Sequence, residues 1–137
     1  MKLYVKILDK TNLKLIDYYT NYESYHNGSC ISIELMCPCD KFYNIGECRF
    51  CYDMPLGIAC QPDDLTHGYY LYPCCWISDT PFRMSNSPCI IDPNYRSEII
   101  AKVDLLRSYN VNKGNRLFQL CSYDLSPIEV EVVDEFN

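Results

Sequence analysis

Tyr69-Tyr70-Leu71-Tyr72-Pro73-Cys74-Cys75-Trp76, and further on Asn86-Ser87-Pro88-Cys89-Ile90-Ile91-Asp92-Pro93-Asn94-Tyr95-Arg96, are the runs on which the reading of this chain turns. The first is rich in aromatic and apolar residues and predicts a strand, because such side chains pack well on a pleated surface. A linker with one helical turn follows it. The second predicts a tight β-hairpin, since Pro93 presets φ and Asn94 tolerates positive φ, leaving Asp92 and Tyr95 beside the turn. Taken alone, Asp92-Pro93-Asn94-Tyr95 reads as an ordinary surface turn.

Strand patterns continue on both sides. Ile99, Ala101, Val103 and Leu105 alternate with Lys102 and Asp104, the period of a half-buried strand. Asn112-Lys113-Gly114-Asn115 predicts a turn, residues 116–121 a strand, and Ile128, Val130 and Val132 alternating with Glu129 and Glu131 a last strand. Upstream, Leu3, Val5 and Ile7 alternate with Lys2, Tyr4 and Lys6, and Ile31, Ile33 and Leu35 share one face of a strand over residues 29–37 that Pro38 ends. Residues 44–46 predict a turn, residues 47–52 and 56–60 short strands around Asp53-Met54-Pro55, and residues 61–68 a polar loop. Residues 9–28 are too weakly periodic to place. Tyr18, Tyr19, Tyr22 and Tyr25 sit there at near-helical spacing, which fits a helix, a sheet face or a contact surface, with packing the expected role. Many short strands separated by turn signals predict an all-β sandwich or jelly roll.

Composition bounds the function. A length of 137 residues suits a single domain over residues 1–137, large enough to bury a real core. Aromatic content is high, with 13 Tyr and 5 Phe, which favours a folded, β-rich chain. A net charge of −6 leaves no electrostatic footprint for nucleic acid, and singly scattered Lys and Arg none for an anionic membrane. Met1-Lys2-Leu3-Tyr4-Val5-Lys6 is too interrupted for a signal peptide, and no apolar run approaches a membrane span. The expectation is a soluble intracellular protein. Ten cysteines are then expected to be reduced and mostly buried as small hydrophobes. The Cys48-Arg49-Phe50-Cys51 pair is a weak zinc signal, because on an extended strand residues three apart point to opposite faces. No metal ligands are assigned.

At this point a resemblance carries further than pattern. Asn86, Ile91, Asp92, Tyr95 and Arg96 match the third motif of the homotrimeric all-β dUTPases, Asn-x-x-Gly-x-Ile-Asp-x-x-Tyr-Arg-Gly, and Lys113-Gly114-Asn115-Arg116-Leu117-Phe118-Gln119-Leu120 matches the fourth, with Asn115 in place of an acid. The chain resembles the versions found in bacteria and large DNA viruses. That resemblance implies a β jelly roll assembling as a homotrimer, with active sites at subunit boundaries. It implies that Asp92 activates water as a general base, that Asn86 and the backbone around Ile91 read uracil, that Tyr95 packs under deoxyribose, and that Gln119 binds phosphate. Magnesium enters only with dUTPase activity.

The departures are as informative. The family's Pro-Arg-Ser-Ser motif, which holds the phosphates, is Pro73-Cys74-Cys75-Trp76 here. Thiols do not replace a forked, charged guanidinium toward phosphate. In the first motif, Gly and Asp have become Ser32 and Glu34; in the third, Gly has become Cys89, whose side chain sits where backbone should approach the base. The family's glycine-rich phosphate-clamping arm has no counterpart in Val133-Asp134-Glu135-Phe136-Asn137. The resulting expectation is a dUTPase-fold protein that has lost catalysis and serves as a structural or interaction component, for instance of a large DNA virus particle, with other structural proteins as partners. Nucleotide binding without turnover, and weak conversion of dUTP to dUMP and diphosphate, stand as alternatives.

Overall fold

The computed structural model describes residues 1–25 and 31–137; for Ser24 and Tyr25 only the backbone is described. The first strand, β1 (Lys2–Ile7), is followed by helices α1 (Leu13–Thr20) and α2 (Tyr22–Tyr25), then by β2 (Ser32–Leu35) and β3 (Lys41–Tyr43). Next come β4 (Tyr52–Pro55), β5 (Ile58–Pro62) and β6 (Tyr69–Pro73), a 3-10 helix at Cys75–Asp79, β7 (Phe82–Met84) and β8 (Cys89–Ile91). The remainder is β9 (Ile100–Leu105), β10 (Tyr109–Val111), β11 (Phe118–Ser122) and β12 (Glu129–Val132). These form four small sheets, ordered β12-β1-β5, β10-β3, β2-β11-β6-β8 and β4-β9-β7. Among the described residues all pairings are antiparallel except β1 with β12. The all-β jelly-roll expectation holds.

The alternating patterns behave as their period requires. Leu3, Val5, Ile7, Ala101 and Val103 are buried, and their neighbours Lys2, Lys6, Lys102 and Asp104 point outward. Phe82 and Phe118, both fully buried, lie on different sheets and anchor the core, with Phe82 meeting Tyr43 and Tyr109 edge-on at ring distances of 5.2 and 5.8 Å. The unplaced segment contains α1. Asn12 caps it, its side chain accepting from the Leu15 amide at 3.2 Å. Leu15, Tyr18, Tyr19 and Tyr22 are buried, so for these three tyrosines the spacing does reflect packing, while the Tyr25 side chain lies outside what is described. Their hydroxyls still find partners: Tyr18 donates to the Glu34 carbonyl, while the Glu34 and Met36 amides donate to Tyr22 and Tyr19. The tyrosines thereby brace β2. The part of that segment beyond Tyr25 lies outside the described residues.

Several expectations are corrected. Residues 47–50 are bends rather than strand, with Phe50 85% exposed, because among the described residues no strand pairs with that segment. Asp53-Met54-Pro55 is not a break but part of β4, paired with β9. Pro55 is tolerated because it ends the strand, and the reversal falls instead at Gly57, whose φ of +76° suits glycine. Strand β2 is shorter than predicted, and Ile31 is exposed. The largest correction concerns the predicted hairpin at residues 86–96. A turn is present, the Tyr95 amide donating to the Asp92 carbonyl at 3.1 Å, but its two arms do not pair. Strand β8 pairs with β6, whereas Ile99 bonds to Ile58 and Leu56 and leads β9 into another sheet. Burial decides this: Ile99, Ala101 and Val103 can all reach the core only if β9 leaves β8.

The cysteines also differ from expectation. Cys37, Cys60, Cys74 and Cys121 are buried, but Cys39, Cys48 and Cys75 are exposed, and all nine described thiols are free. Cys30 lies outside the described residues. Burial raises the Cys37 thiol to about 12 and pushes Cys60 up further, so neither forms a reactive thiolate near neutrality. Brief alkylation at neutral pH, followed by peptide mass mapping, is expected to label Cys39, Cys48 and Cys75 and spare Cys37 and Cys60 until the chain unfolds. Equal labelling of Cys60 and Cys48 would contradict this packing.

Candidate functional site

Two groups of side chains emerge, each built by a different part of the fold. The first surrounds a cavity of about 310 Å³ between β8 and the outward face of β9. Register places Cys89 opposite Leu71 and Ile91 opposite Tyr69, so Leu71 and Ile91 form an apolar floor. Asn86, Cys89, Asp92 and Tyr95 also line it, which gathers every third-motif position singled out in the sequence except Arg96. Asp92 is exposed, and its carboxylate has no hydrogen bond among the described residues. The Tyr95 hydroxyl donates to the Glu98 carbonyl at 2.8 Å, which fixes its ring at the rim. Five residues of the cavity were not assigned to a site from the sequence: Leu71, Ile90, Ile99, Ile100 and Lys102. Alternation on β9 marks Lys102 as outward-facing, yet only the tertiary fold sets it beside this cavity. There it is ion-paired with Asp53, its cross-strand neighbour.

The second group sits where β2, β11 and β6 run side by side. Gln119 of β11 lies opposite Glu34 on one flank and Tyr72 on the other. Its amide donates to the Pro73 carbonyl at 3.0 Å, and the Cys74 amide donates to the Leu117 carbonyl at 2.8 Å. Arg116 faces Glu34 across 3.4 Å. So Glu34, Cys74, Arg116 and Gln119 come from three distant stretches of sequence and meet in one place. None of Glu34, Cys74, Cys75, Trp76 or Gln119 lines the cavity of the first group.

The chemistry of this second group is set by burial and by contacts within the protein. Cys74 is 4% exposed, and burial followed by the nearby Glu34 charge raises its thiol to about 12, so it is a neutral, inward-facing group. Cys75 is exposed, and Trp76 projects from the 3-10 helix with 57% of its surface open. Among the described residues the cation bonded within the group is Arg116, which already faces Glu34. One of the two Gln119 amide N–H groups is committed to the Pro73 carbonyl.

A metal ion is poorly served as well. Among the described residues no three His, Cys, Asp or Glu side chains converge on a metal-sized site. Magnesium prefers one or two carboxylates plus substrate phosphates, and only Asp92 of this group is a carboxylate at the cavity. The bends at residues 47–50 remove the strand geometry that argued against Cys48 and Cys51 sharing a metal, but no third ligand joins them.

Comparison with known proteins agrees with the fold. No family model matches the chain, and no curated protein sequence matches it. Solved structures do. The dUTPase of Staphylococcus bacteriophage 80alpha is 17% identical with a TM-score of 0.60, over 98% of this chain and 97% of that one. A mutant of the dUTPase from phage phi11 of Staphylococcus aureus, described with a structural Mg(II) ion, is 16% identical with a TM-score of 0.61, over 98% of each chain. A mutant of the 80alpha enzyme with dUpNHpp reaches a TM-score of 0.62 at 16% identity, over 98% of this chain and 92% of that one. At such identities the likeness is one of fold, and the fold is dUTPase-like.

Proposed function

From a dUTPase-like fold that keeps one half of the expected site, we propose that this protein has lost dUTPase catalysis and acts as an interaction or structural component. The observation that carries the reading is Cys74, a buried neutral thiol at the position where the resemblance implies a phosphate-holding arginine. Fold alone does not fix function, so the argument rests on the site. The dUTPase of bacteriophage 80alpha is described as controlling transfer of virulence genes by a proto-oncogenic G protein-like mechanism. A role of that kind suits a chain whose phosphate machinery is gone. A viral structural setting remains part of the same proposal, as does a homotrimer, which would join the cavity of one copy to the Cys74 group of the next. Sedimentation equilibrium tests the assembly, with a monomer at all concentrations the opposing result. Release of diphosphate from dUTP and magnesium at an ordinary enzymatic rate would overturn the loss of catalysis.

The intact cavity favours a second reading, nucleotide binding without turnover. At about 310 Å³ it is at the small end of ligand pockets, and it offers an apolar floor with the Asn86 amide, a donor and acceptor together, at its edge. Here Asn86 and the backbone near Ile91 would hold the pyrimidine, with Tyr95 under the sugar. Cys89 narrows the approach. If this is right, dUMP at about a hundred times its Kd should stabilise the fold by about 2.7 kcal/mol, read as a higher Tm. No shift at high dUMP leaves the interaction role alone.

A further inference from the structure

The segment following β12 lies against β1 and reaches the turn beside the cavity. The Val133 amide donates to the Val5 carbonyl at 2.9 Å, and acidic side chains pair with a lysine row: Glu131, still in β12, with Lys2 at 3.3 Å, then Glu135 with Lys6 at 3.2 Å and Asp134 with Lys10 at 3.9 Å. These pairs deliver the half-buried Phe136 ring to a place between two cations. Lys6 lies 5.9 Å from its centroid and the Arg96 guanidinium 5.7 Å. Arg96 in turn donates from Nη1 to the Pro93 carbonyl at 2.6 Å and to the Tyr95 carbonyl at 3.1 Å. The turn bearing Asp92 and Tyr95 has its own Tyr95-to-Asp92 backbone bond, and Arg96 adds the second bond across it, to the Pro93 carbonyl.

We propose that Phe136 is a positioning residue for the cavity: its ring holds Arg96, and Arg96 holds the 92–96 turn that sets Asp92 and Tyr95. The idea rests on the cavity being a nucleotide pocket only for its consequence to binding; the mechanical link stands on the contacts alone. A guanidinium beside an aromatic face is a favourable pairing, and it restricts a long side chain that would otherwise sample many rotamers. Because the lysine–carboxylate pairs that seat the segment are solvent-exposed, salt weakens the link.

The test uses the full chain and measures exchange of the Tyr95 amide by NMR, with Leu71 in β6 as internal control. Phe136→Ala should speed Tyr95 exchange by about two- to fivefold, the factor expected of an exposed cation–π pair, and leave Leu71 unchanged. Phe136→Tyr, which keeps the ring, should retain protection. Three results overturn the proposal: Tyr95 exchange unaltered in Phe136→Ala, full protection in Phe136→Leu, which would make the contact ordinary packing, or an equal loss at Tyr95 and Leu71, which would make it general stability. Binding of dUMP, measured in parallel, should weaken in Phe136→Ala. If dUMP binds neither protein, the nucleotide reading fails while Tyr95 exchange still decides the clamp.

Discussion

Given dUTP and magnesium, this protein should release diphosphate at least about a hundredfold more slowly than a dUTPase that keeps Arg and Ser at the second-motif positions, because removing a single transition-state donor costs about a hundred- to a thousandfold. Three positions have changed here, to Cys74, Cys75 and Trp76. The losses do not multiply, since groups acting on one transition state are strongly non-additive. Cys74 is the decisive one. Its thiol is buried and stays protonated far above neutral pH, so it offers phosphate neither charge nor a strong donor. Arg116 does not substitute, because moving toward a phosphate means leaving Glu34. Asp92 remains exposed at its cavity, and in the role of base that the resemblance implies it would need a held phosphate to direct water toward. The double change Cys74→Arg, Cys75→Ser should therefore restore little activity. An arginine at position 74 begins in a closed environment beside Glu34 and pairs with it more readily than with a ligand. A steady-state diphosphate assay on both proteins decides the matter. Turnover by the unaltered protein matching that of an ordinary dUTPase contradicts the reading outright, and large recovery in the double variant contradicts the account of Cys74.

What could be read in the sequence was whatever period and motif order encode. Leu3-Val5-Ile7 and Ala101-Val103 announce strands because period-two burial leaves no other solution, and both pair as such. Asn86, Cys89, Asp92 and Tyr95 lie close together in sequence, so their meeting at one cavity follows from a single turn. The failures have physical causes too. The 86–96 run has the composition of a hairpin, but partner choice belongs to the core: Ile99 needs Ile58 more than Ile91 needs a hairpin mate. Asp53-Met54-Pro55 looks like a break because proline usually is one, yet at a strand's final position the missing N–H costs nothing. Helix α1 was obscured because Tyr18 and Tyr19 make up most of its buried face, and their hydroxyls look polar until they are seen bonded to the Glu34 carbonyl and the Met36 amide. Lys102 and Phe136 carry no motif at all; only distance reveals them.

Alkaline pH is expected to unfold this protein steeply, and the cause is the same burial that silences Cys74. Burial raises the thiols of Cys37 and Cys74 from 9.0 to about 12, that of Cys60 further, and the Tyr18 phenol from 10.0 to about 12, with Tyr19, Tyr43 and Tyr69 also raised. The folded chain thus keeps protons that the unfolded chain releases. Stability from these groups is fully present below about pH 9 and is lost as pH climbs toward the folded values, first through the thiols and then the phenols. Each extra proton held costs about 1.4 kcal/mol per pH unit, so Cys37, Cys60 and Cys74 together give a slope of about 4 kcal/mol per unit once the unfolded thiols are ionised. A domain stable by about 5–15 kcal/mol exhausts that within a few units. Urea unfolding under reducing conditions at pH 8 and at successive half-unit steps above it measures the slope directly. Cys37→Ala should lower stability at pH 8 by opening a small cavity, yet reduce the slope by roughly a third of the thiol contribution. A stability that is flat through pH 10.5 would mean that these thiols ionise in place, and with that the picture of Cys74 as a sealed neutral group would fail.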